Sequence, residues 1–590
     1  MYSEYDIHTV PLTFKPARQQ VERFLASCAL RLDAVDFYAV VTRLGDDTIL
    51  AGGGLEGNVI KCVAVSDALR GTGMMQRLIS HLLSEAHAAG HQCVRVFTKP
   101  GNRYIFESLG FRLLAEAPQA IFMENGLPGI DDYLNSLPNP PHPADDGDQP
   151  SVGAIVMNAN PFTLGHQALM QWAAKQVGTL YVIPVREDRS RFSYTARKAM
   201  IVEGCRHINN VVVLEGSDYA ISAATFPTYF LKQVDDATDT QITLDLDLFA
   251  RHIAPALGAT IRFVGSEPND ALTARYVELM QRQLPSRGID VRVLPRCEQD
   301  NAPVSASRVR QQLNNGSFAS ASALVPASTR SYLISDLAQR ALLVELDTTP
   351  KPGLVDKADN GAHSDMGHDT MLQSIMSLRP FFDQLSQLGN QSELPRAADI
   401  KQIGLEAEKA MLAATNGVNT HRGALFALGL TVVAASHAAH CQGSITAVSL
   451  QDGIKSLARY MSGGSGSHGS EAVSKHHVNG ALAMAQNGYD QLFNDWLILY
   501  QSMADDSWQC HKTLLRIMAT LDDTNIIHRV GFEHAQRVKV EAQQLLEDFS
   551  GERLEEMNRR YNAENISPGG SADMLALTIF VDSLIESEKR

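Results

Sequence analysis

Three short motifs combine phosphate-binding residue types with the ends of predicted β-strands. In the first, residues 152–175, a short apolar run, a turn broken by Pro161 and apolar residues at helical spacing predict strand, loop and helix. The loop ends in Thr-Leu-Gly-His, residues 163–166, where the predicted helix begins. Unpaired backbone N–H groups and the helix dipole favour anions at such a position. The stretch therefore predicts a phosphate-binding turn, although it contains neither a P-loop nor a dinucleotide fingerprint.

Two further motifs follow in chain order. Residues 260–267, Thr-Ile-Arg-Phe-Val-Gly-Ser-Glu, predict a strand that runs into a turn of small residues. Residues 304–310, Val-Ser-Ala-Ser-Arg-Val-Arg, supply Ser307 and Arg310 as candidate phosphate ligands. An arginine fork pairs two phosphate oxygens at once and keeps its charge at any relevant pH. A basic cluster at 186–198 follows another predicted strand, and we expect it to contact a ligand or carrier.

The first and third motifs resemble those of the nucleotidyltransferases, namely (His/Thr)-x-Gly-His and Ile-Ser-x-Thr-x-Ile-Arg. The longer segment 158–166 resembles the [citrate lyase] ligase family, whose members combine a GNAT-like domain with a nucleotidyltransferase domain. The resemblance implies an ATP site with His166 as its catalytic residue. The residues it implies for ATP binding are Asn160, Thr163, Gly165, His166, Ser307 and Arg310.

The N-terminal region resembles GNAT-type acyltransferases. Residues 60–78 look like their pyrophosphate loop, which implies that Arg70, Gly71 and Gly73 bind the pyrophosphate of coenzyme A. Met75 stands where the family has the last glycine of the loop, and Phe106 replaces the tyrosine that usually protonates the departing thiol. Acetyl transfer, binding without transfer, and a fold kept only for packing or docking therefore stay open.

Four polar segments, three of which contain glycine, interrupt the helices predicted after Ser331. Each is suited to cap a helix, but each also combines a carboxylate or amide with a cation or a glycine turn, as a magnesium–triphosphate site needs. The segments are residues 348–366, 417–424, 522–529 and 567–575.

Together these segments resemble triphosphoribosyl-dephospho-CoA synthase, and the resemblance spans residues 333–590. It implies that the 2′-hydroxyl of 3′-dephospho-CoA displaces adenine from C1 of the ATP ribose. Asp365, Asp523 and Asp573 are then the candidates for the general base or for Mg²⁺ ligands. The residues expected to bind the phosphates are Lys351, Lys357, Arg422, Gly569 and Gly570.

The chain of 590 residues is too long for one hydrophobic core, so we expect a multidomain protein. The predicted domains are an α+β GNAT-like domain (1–137), an α/β Rossmann-like nucleotidyltransferase domain (151–325) and an all-α domain (333–590). A linker rich in Pro and Asp at 137–150 and a soft Ser/Ala-rich stretch at 314–329 separate them. Alternating strands and helices in the second domain predict a parallel sheet with its site at the carboxyl ends of the strands.

Composition excludes several classes of protein. A net charge of −15 argues against a broad nucleic-acid surface. The seven cysteines are scattered and odd in number, which indicates reduced thiols and no zinc site. No apolar run reaches about 18 residues and the first residues do not resemble a signal peptide. We therefore expect a cytoplasmic protein without a membrane segment.

The two resemblances predict one bifunctional enzyme. The N-terminal half would use ATP and acetate to acetylate the thiol of the citrate lyase acyl carrier protein, and the C-terminal half would use ATP and 3′-dephospho-CoA to make the prosthetic-group precursor. Three alternatives stay open. They are prosthetic-group synthesis for malonate decarboxylase, an adenylyltransferase that makes dephospho-CoA, and a non-catalytic scaffold that docks the carrier.

Overall fold

The computed structural model describes residues 4–140, 151–186, 190–220, 234–266, 270–295, 298–299, 302–461 and 480–585. The chain divides into two compact units. Unit 1 comprises residues 1–160 and 165–303, and unit 2 comprises residues 161–164 and 304–590. The three domain limits given above remain predictions, and the linker residues 141–150 lie outside the described residues.

Unit 1 begins with a seven-stranded sheet in the order β1-β2-β3-β4-β5-β7-β6. Its strands are β1 Tyr5–Thr9, β2 Phe37–Arg43, β3 Ala51–Glu56, β4 Val59–Val65, β5 Cys93–Thr98, β6 Arg112–Glu116 and β7 Ile121–Gly126. All neighbours are antiparallel except β4 and β5, which pair in parallel at only two positions. The helices of this region are Lys15–Ser27, Met74–Ala88, Arg103–Ser108 and Ile130–Ser136.

A second sheet of unit 1 is entirely parallel and has the order β10-β9-β8-β11-β12. Its strands are β8 Val152–Met157, β9 Thr179–Pro184, β10 Val211–Val213, β11 Ile261–Gly265 and β12 Asp290–Leu294. Its helices are Leu164–Ala174, Tyr194–Cys205, Val234–Leu248, Ala254–Leu257 and Ala271–Gln283. The predicted parallel sheet is confirmed. Because the order reverses beside β8, the carboxyl ends of β8 and β11 lie where open α/β sheets bind ligands.

Buried polar contacts join the seven-stranded sheet of unit 1 to a turn and a helix beside the parallel sheet. The hydroxyl of Tyr219 donates to Glu124 over 2.8 Å, and the guanidinium of Arg95 lies 4.6 Å from the centre of the Tyr219 ring. The backbone N–H of Glu116 donates to Asp247 over 2.9 Å. Glu124 and Asp247 are both buried, so these pairs replace water as their hydrogen-bond partner.

Unit 2 is helical in its described part. Its helices are Ala306–Asn314, Phe318–Ser322, Ala327–Asp347, His368–Gly389, Ala397–Ala414, Arg422–Gln442, Ala447–Ala458, Ala481–Gln486, Leu497–Ser502, Gln509–Thr520, Thr524–Val530, Phe532–Glu547, Gly551–Ala563 and Gly569–Leu584. Three of them, Ala327–Asp347, Arg422–Gln442 and Gly569–Leu584, are buried on nearly all sides and form the core. By length and composition alone Arg422–Gln442 would also suit a membrane span, but most of it is buried inside the unit.

The prediction of a soft stretch at 314–329 is wrong. The helix Phe318–Ser322 lies within it, capped by the side chain of Ser317, which accepts a hydrogen bond from the N–H of Ser320. Phe318, Leu324 and Val325 are buried. The Ser and Ala content suggested a linker, whereas these few apolar side chains are enough to anchor the segment to the core.

Candidate active sites

The four polar segments predicted in the C-terminal half meet around one cavity of about 860 Å³ in unit 2. Asp365, Arg422, Asn525 and Asp573, one from each segment, all line it. Residues 348–366 lie between two helices, and the other three segments run into the first turns of Arg422–Gln442, Thr524–Val530 and Gly569–Leu584, so the helical core positions their side chains. A volume of this size suits a nucleotide-sized ligand, because ligand pockets typically occupy about 300–1,000 Å³.

His363 connects three of these segments. Its Nε2 lies 2.9 Å from the Ser567 hydroxyl, and its Nδ1 lies 3.4 Å from a guanidinium nitrogen of Arg529. Arg529 also donates to the carbonyl of Ala362 and to Asn565, each over 2.6 Å. Burial and the charge of Arg529 lower the pKa of His363, so its imidazole is neutral at pH 7. The sequence analysis had not singled out either side chain, although both lie in segments that it had identified.

Asp573 lines the cavity where two core helices begin. A Cβ atom on Gly423 would overlap the Asp573 carboxylate, so a glycine is required for this close approach. The backbone N–H of Ala424 donates to the carboxylate. Burial, followed by the charges of Asp523 and Glu345, raises the pKa of Asp573 well above its usual value. A carboxyl group with a raised pKa holds a proton more tightly than an ordinary carboxylate, and such a perturbation is common among catalytic acids and bases.

Asp523 has a different environment. Its carboxylate accepts hydrogen bonds from the N–H groups of Asn525, Gly570 and Ser571, and from the Ser571 hydroxyl at 2.9 Å. It therefore caps the helix Gly569–Leu584 as well as its own helix. Burial nevertheless raises its pKa. Asp523 does not line the cavity, so the structure favours a positioning role over the predicted contact with a substrate or metal ion.

The adjacent glycines 569 and 570 make this cap possible. A Cβ atom on Gly570 would lie 3.0 Å from the Asp523 carboxylate, and one on Gly569 would lie 2.9 Å from the Asn525 amide nitrogen. Gly569 itself lines the cavity. The pair thus brings the N-terminal turn of the last helix close to Asp523, rather than leaving Gly570 open to a phosphate.

The three predicted phosphate-binding cations differ in position. Lys351 lines the cavity but is buried and paired with Glu345 over 2.5 Å. Arg422 also lines the cavity, is about half exposed, and pairs with Glu408. Lys357 pairs with Asp347 over 2.9 Å and does not line the cavity. Lys351 and Arg422 are therefore placed to face a ligand, and Lys357 is not.

Asp365 lines the cavity with an exposed side chain, 3.7 Å from Nδ1 of His363. In the described parts of the chain, no group of three or more His, Cys, Asp or Glu side chains is arranged to hold a metal ion. Mg²⁺ in nucleotide sites usually needs only one or two protein carboxylates, because substrate phosphates and water complete its shell. Asp365 and Asp573 fit that requirement, whereas Asp523 is already occupied by four donors.

His421 is a further polar group that the sequence analysis did not select. Its Nδ1 lies 2.7 Å from the Ser374 hydroxyl, and Thr420 donates to the same hydroxyl over 2.7 Å. Its Nε2 has no hydrogen-bond partner among the residues that the structure describes, and the residue lines the cavity while only 3% exposed. Burial and the charge of Lys351 lower its pKa to about 3. A histidine in a polar segment directly before a predicted helix was the available signal.

In unit 1, the carboxyl end of β8 leads into the predicted phosphate-binding loop. Arg197 is fully buried and donates to the backbone carbonyl and side-chain oxygen of Asn158, each over 2.7 Å. It also donates to the carbonyls of Val185 and Phe192, each over 3.0 Å. Asn160 accepts a hydrogen bond from the N–H of Phe192 over 3.2 Å. Arg197 therefore links the segments around Asn158, Val185 and Phe192 by hydrogen bonds. The expectation that the whole basic cluster contacts a ligand is wrong for this residue.

The remaining members of the basic cluster have separate environments. Lys198 forms an ion pair with Glu215, and the guanidinium of Arg186 lies 5.8 Å from the centre of the Tyr194 ring. Arg189 lies outside the described residues, as does Glu267 of the second motif. The sequence correctly placed the cluster after the carboxyl end of a strand. It did not show that the side chains of the cluster have different partners.

His166 and Gly165 lie in the first turn of the helix Leu164–Ala174, where the sequence motif places them. Burial lowers the pKa of His166 to about 4. The imidazole is therefore neutral at pH 7, and its N–H can donate to a phosphate oxygen without a full positive charge. His166 can therefore act on a phosphate as a neutral hydrogen-bond donor and not as a cation.

The other predicted ATP ligands belong to unit 2. The segment that contains Thr163 is held there by two hydrogen bonds: Leu164 N–H donates to the Leu324 carbonyl over 3.1 Å, and Thr329 donates to the Phe162 carbonyl over 2.9 Å. Arg310 donates to the hydroxyl of Ser307 over 3.0 Å, one turn apart on the helix Ala306–Asn314. Their joint role with His166 in ATP binding remains a prediction.

The GNAT-like loop of unit 1 follows β4 and leads into the helix Met74–Ala88. Gly71 and Gly73 have φ of 75° and 80°, which favour glycine, and a Cβ atom on either would meet nothing within 4 Å. Arg70 pairs with Asp67 at the surface over 2.9 Å. Phe106 is buried and packs edge-on against Phe111, with ring centres 5.2 Å apart. The position at which the GNAT family usually has its tyrosine is therefore part of the hydrophobic core in this protein.

Comparison with known proteins assigns the two halves. A family model described as the citrate lyase ligase C-terminal domain matches residues 152–333, and one described as ATP:dephospho-CoA triphosphoribosyl transferase matches residues 331–590. The [citrate [pro-3S]-lyase] ligase of Klebsiella pneumoniae is 39% identical over 325 residues, 54% of this chain and 93% of that protein. The 2-(5''-triphosphoribosyl)-3'-dephosphocoenzyme-A synthase of Haemophilus ducreyi is 36% identical over 286 residues, 43% of this chain and 88% of that protein.

The chain belongs to both families. The N-terminal half is a citrate lyase ligase homologue, and the C-terminal half is a triphosphoribosyl-dephospho-CoA synthase homologue. Among solved structures, an acetyltransferase of the GNAT family from Staphylococcus aureus is similar to 21% of this chain and 99% of its own length, with 11% identity and a TM-score of 0.18.

Six cysteines lie in the described residues, and all six are free. Burial raises the pKa of the Cys62, Cys93 and Cys205 thiols to about 11. These three are therefore protonated and unreactive at pH 7. The expected absence of disulfides agrees with the described part of the chain, whereas Cys297 lies outside it.

Proposed function

We propose that this protein both makes the prosthetic-group precursor of citrate lyase and acetylates the finished group on the acyl carrier protein. The observation that carries the proposal is that one chain spans nearly the whole length of two curated enzymes, a citrate lyase ligase and a triphosphoribosyl-dephospho-CoA synthase. Each half also contains a cavity of its own. Both reactions start from ATP but break different bonds, so each half needs its own site.

In the ligase half, a carboxylate oxygen of acetate attacks the α-phosphorus of ATP. The bond from the α-phosphorus to the bridging oxygen breaks, pyrophosphate leaves with the electron pair, and acetyl-adenylate forms. The carrier thiolate then attacks the acetyl carbon and releases AMP. Gly165 and neutral His166 at the helix start supply N–H donors to the phosphates, and Ser307 and Arg310 are proposed to complete the site. Their contribution is to position the phosphates and stabilise the developing charge.

This half would use a Rossmann-like nucleotidyltransferase fold, which is supported by the parallel sheet and the strand reversal beside β8. The GNAT-like region is proposed to hold the coenzyme-A-like arm of the prosthetic group through Arg70, Gly71 and Gly73. Burial of Phe106 supports binding without acetyl transfer, because a hydroxyl at this position would lie in the core. The proposed location of the enzyme is the cytoplasm, where ATP and dephospho-CoA are made.

In the synthase half, the 2′-hydroxyl oxygen of dephospho-CoA forms a bond to C1 of the ATP ribose as the bond to adenine N9 breaks. The hydroxyl proton moves to a carboxylate, adenine takes up one proton from water as it leaves, and the carboxyl group later returns its proton to water, so that no net proton is gained or lost. Asp573 is the proposed proton acceptor, because it lines the cavity and its raised pKa makes its carboxylate a stronger base than usual. Arg422 and Lys351 line the same cavity and would balance the charge of the triphosphate.

Mg²⁺ is the metal ion that such a triphosphate would carry. With Asp573 as the proton acceptor, Asp365 is the cavity carboxylate placed to hold it, and when bound it would neutralise phosphate charge. Asp523 is proposed to position Asp573, since it accepts a hydrogen bond from the first turn of the helix that contains Asp573. His363 and Arg529 hold the three surrounding segments in place.

Analysis of the nucleotide products tests the proposal. ATP with 3′-dephospho-CoA should yield adenine, and ATP with acetate and the thiol-form carrier should yield AMP and pyrophosphate in equal amounts. Pyrophosphate release that needs phosphopantetheine instead of acetate would identify an adenylyltransferase. Adenine release without acetate-dependent AMP would match a role in malonate decarboxylase maturation, and absence of both reactions would identify a non-catalytic scaffold.

A further inference from the structure

A second cavity, of about 220 Å³, lies within unit 1 between the parallel sheet and the helices Val234–Leu248 and Ala271–Gln283. Arg262 of β11 lines it, and so does Asn158, which directly follows β8. The cavity is smaller than the roughly 300–1,000 Å³ typical of drug-sized ligands. Its size therefore favours a small molecule over a nucleotide.

Arg262 is a buried cation whose charge is not balanced by an ion pair within the described residues. It is 2% exposed, its Nη1 has no hydrogen-bond partner, and its guanidinium lies 4.1 Å from the centre of the Phe249 ring. A buried charge without a partner costs several kcal/mol unless something compensates it. An anionic ligand in the cavity would supply that compensation.

The other groups around the cavity indicate the kind of anion. Val156, Ile242 and Leu272 provide apolar surface, which favours an acid with an alkyl group over a bare phosphate. Asp245 also lines the cavity, and its carboxylate accepts a hydrogen bond from the Tyr276 hydroxyl. The negative charge of Asp245 disfavours a multiply charged ligand, because repulsion between Asp245 and the ligand grows with the charge of the ligand.

We propose that this cavity is the acid-substrate subsite of the ligase, with Arg262 binding the carboxylate of acetate. The inference rests on the ligase function proposed above. Arg262 would hold one carboxylate oxygen and leave the other to attack the α-phosphorus of ATP. Asn158 connects the cavity directly to the loop that ends in His166, so acid and nucleotide would meet at the carboxyl end of β8.

The test compares Arg262→Met, which keeps length but removes the charge, with Arg262→Lys, which keeps the charge but removes the fork. The acyl-adenylate is trapped with hydroxylamine, and the KM values for acetate and ATP are measured separately. For Arg262→Met we expect the acetate KM to rise about 30-fold or more, since a charged hydrogen bond is lost. The ATP KM should change by less than about threefold, and Arg262→Lys should give an intermediate acetate KM.

Arg292→Met on the neighbouring strand β12 is the matched control. Arg292 is more exposed and donates to Asp290 and Gln176, away from the cavity, so both KM values should stay unchanged. An unchanged acetate KM in folded Arg262→Met, or in Arg262→Lys if the first variant does not fold, would overturn the proposal. So would a rise confined to the ATP KM.

Thermal shift of the full chain adds a readout that needs no turnover. Acetate should raise the melting temperature of the wild-type protein and of Arg292→Met but not of Arg262→Met, because only a bound ligand stabilises the native state. A shift with pyrophosphate and none with acetate would assign Arg262 to the nucleotide instead. If acetate binds through Arg262 but wild-type protein forms no acyl-adenylate, the subsite stands and the proposed ligase function fails.

Discussion

Asp573 can be either a helix-terminal carboxylate or a catalytic group, and its environment distinguishes these roles. A helix-terminal carboxylate gains from the dipole, so its removal typically costs about 0.3–1 kcal/mol of stability. Here burial and two nearby carboxylates raise the pKa of Asp573, so the ionised form is disfavoured in the folded protein. Proteins keep such unfavourable groups mainly where function requires them.

We predict that Asp573→Asn lowers adenine release about 100-fold or more, because general base catalysis contributes about 10²–10⁴-fold. Asparagine can still accept the hydrogen bond from Ala424, so the melting temperature at pH 7 to 8 should stay equal or rise. Asp582→Asn is the control, since Asp582 lies on the same helix, also has a pKa raised by burial, and accepts from Gln501 over 2.9 Å outside the cavity. Near-normal adenine release in folded Asp573→Asn would refute the catalytic role.

His421 predicts a pH dependence of stability. The unfolded chain takes up a proton near pH 6.5, whereas the folded state resists protonation until about pH 3. Between these values the unfolded state binds more protons, so the free energy of unfolding falls as the pH is lowered. We expect His421→Asn to lose less melting temperature than the wild type between pH 7 and pH 4. An identical decline in both proteins would show that the histidine is not buried in its neutral form.

At the synthase cavity, the N-terminal ends of the helices Arg422–Gln442 and Gly569–Leu584 approach each other closely. Gly423 lies in the first turn of Arg422–Gln442 and directly against Asp573. Gly404 lies inside the helix Ala397–Ala414, and a Cβ atom there meets nothing within 4 Å. The same substitution therefore has opposite expected effects at the two positions.

We predict that Gly423→Ala reduces adenine release at least about tenfold, because the added methyl group displaces the Asp573 carboxylate. Gly404→Ala should leave turnover unchanged and stabilise the protein by about 0.5–1 kcal/mol, as alanine does in a helix interior. Adenine release and melting temperature measured on both variants test this. Full activity in folded Gly423→Ala would show that the contact does not position the catalytic group.

In the GNAT-like region, we predict that Phe106→Tyr does not create acetyl transfer from acetyl-CoA to a small amine. The Phe106 ring is 1% exposed and packs on Phe111, so the new hydroxyl would be buried and would lower the melting temperature. The full-length variant is assayed beside the wild type. Acetylated amine formed by either protein would contradict binding without transfer.

Sequence patterns predicted the elements better than the roles of single side chains. Alternating strands gave the parallel sheet, and apolar periodicity gave the long helices, because both patterns reflect burial directly. The stretch 314–329 was mistaken for a linker since its apolar residues are few. Asp523 and Arg197 were selected by residue type, but only the fold shows that their hydrogen bonds are taken up by the protein. Arg262 lies in the second motif, but its buried charge was not recognised from the sequence because burial is visible only in three dimensions.

In the proposed function, the whole molecule combines two reactions that serve the same carrier. One makes a precursor and releases adenine, and the other uses the finished thiol and releases AMP. Because one chain would contain both enzymes, the cell would make the two active sites in equal amounts. Each set of catalytic residues should nevertheless act on its own reaction, because His166 and Asp573 lie in different units.

The central claim is therefore tested by measuring both nucleotide products in His166→Ala and Asp573→Asn beside the wild type. His166→Ala should abolish AMP and pyrophosphate formation from ATP, acetate and thiol-form carrier while adenine release from ATP and 3′-dephospho-CoA stays within about twofold of normal. Asp573→Asn should show the reverse pattern, with a loss of about 100-fold in adenine release alone. Parallel loss of both products in either folded variant, or formation of neither product by the wild type, would contradict the account.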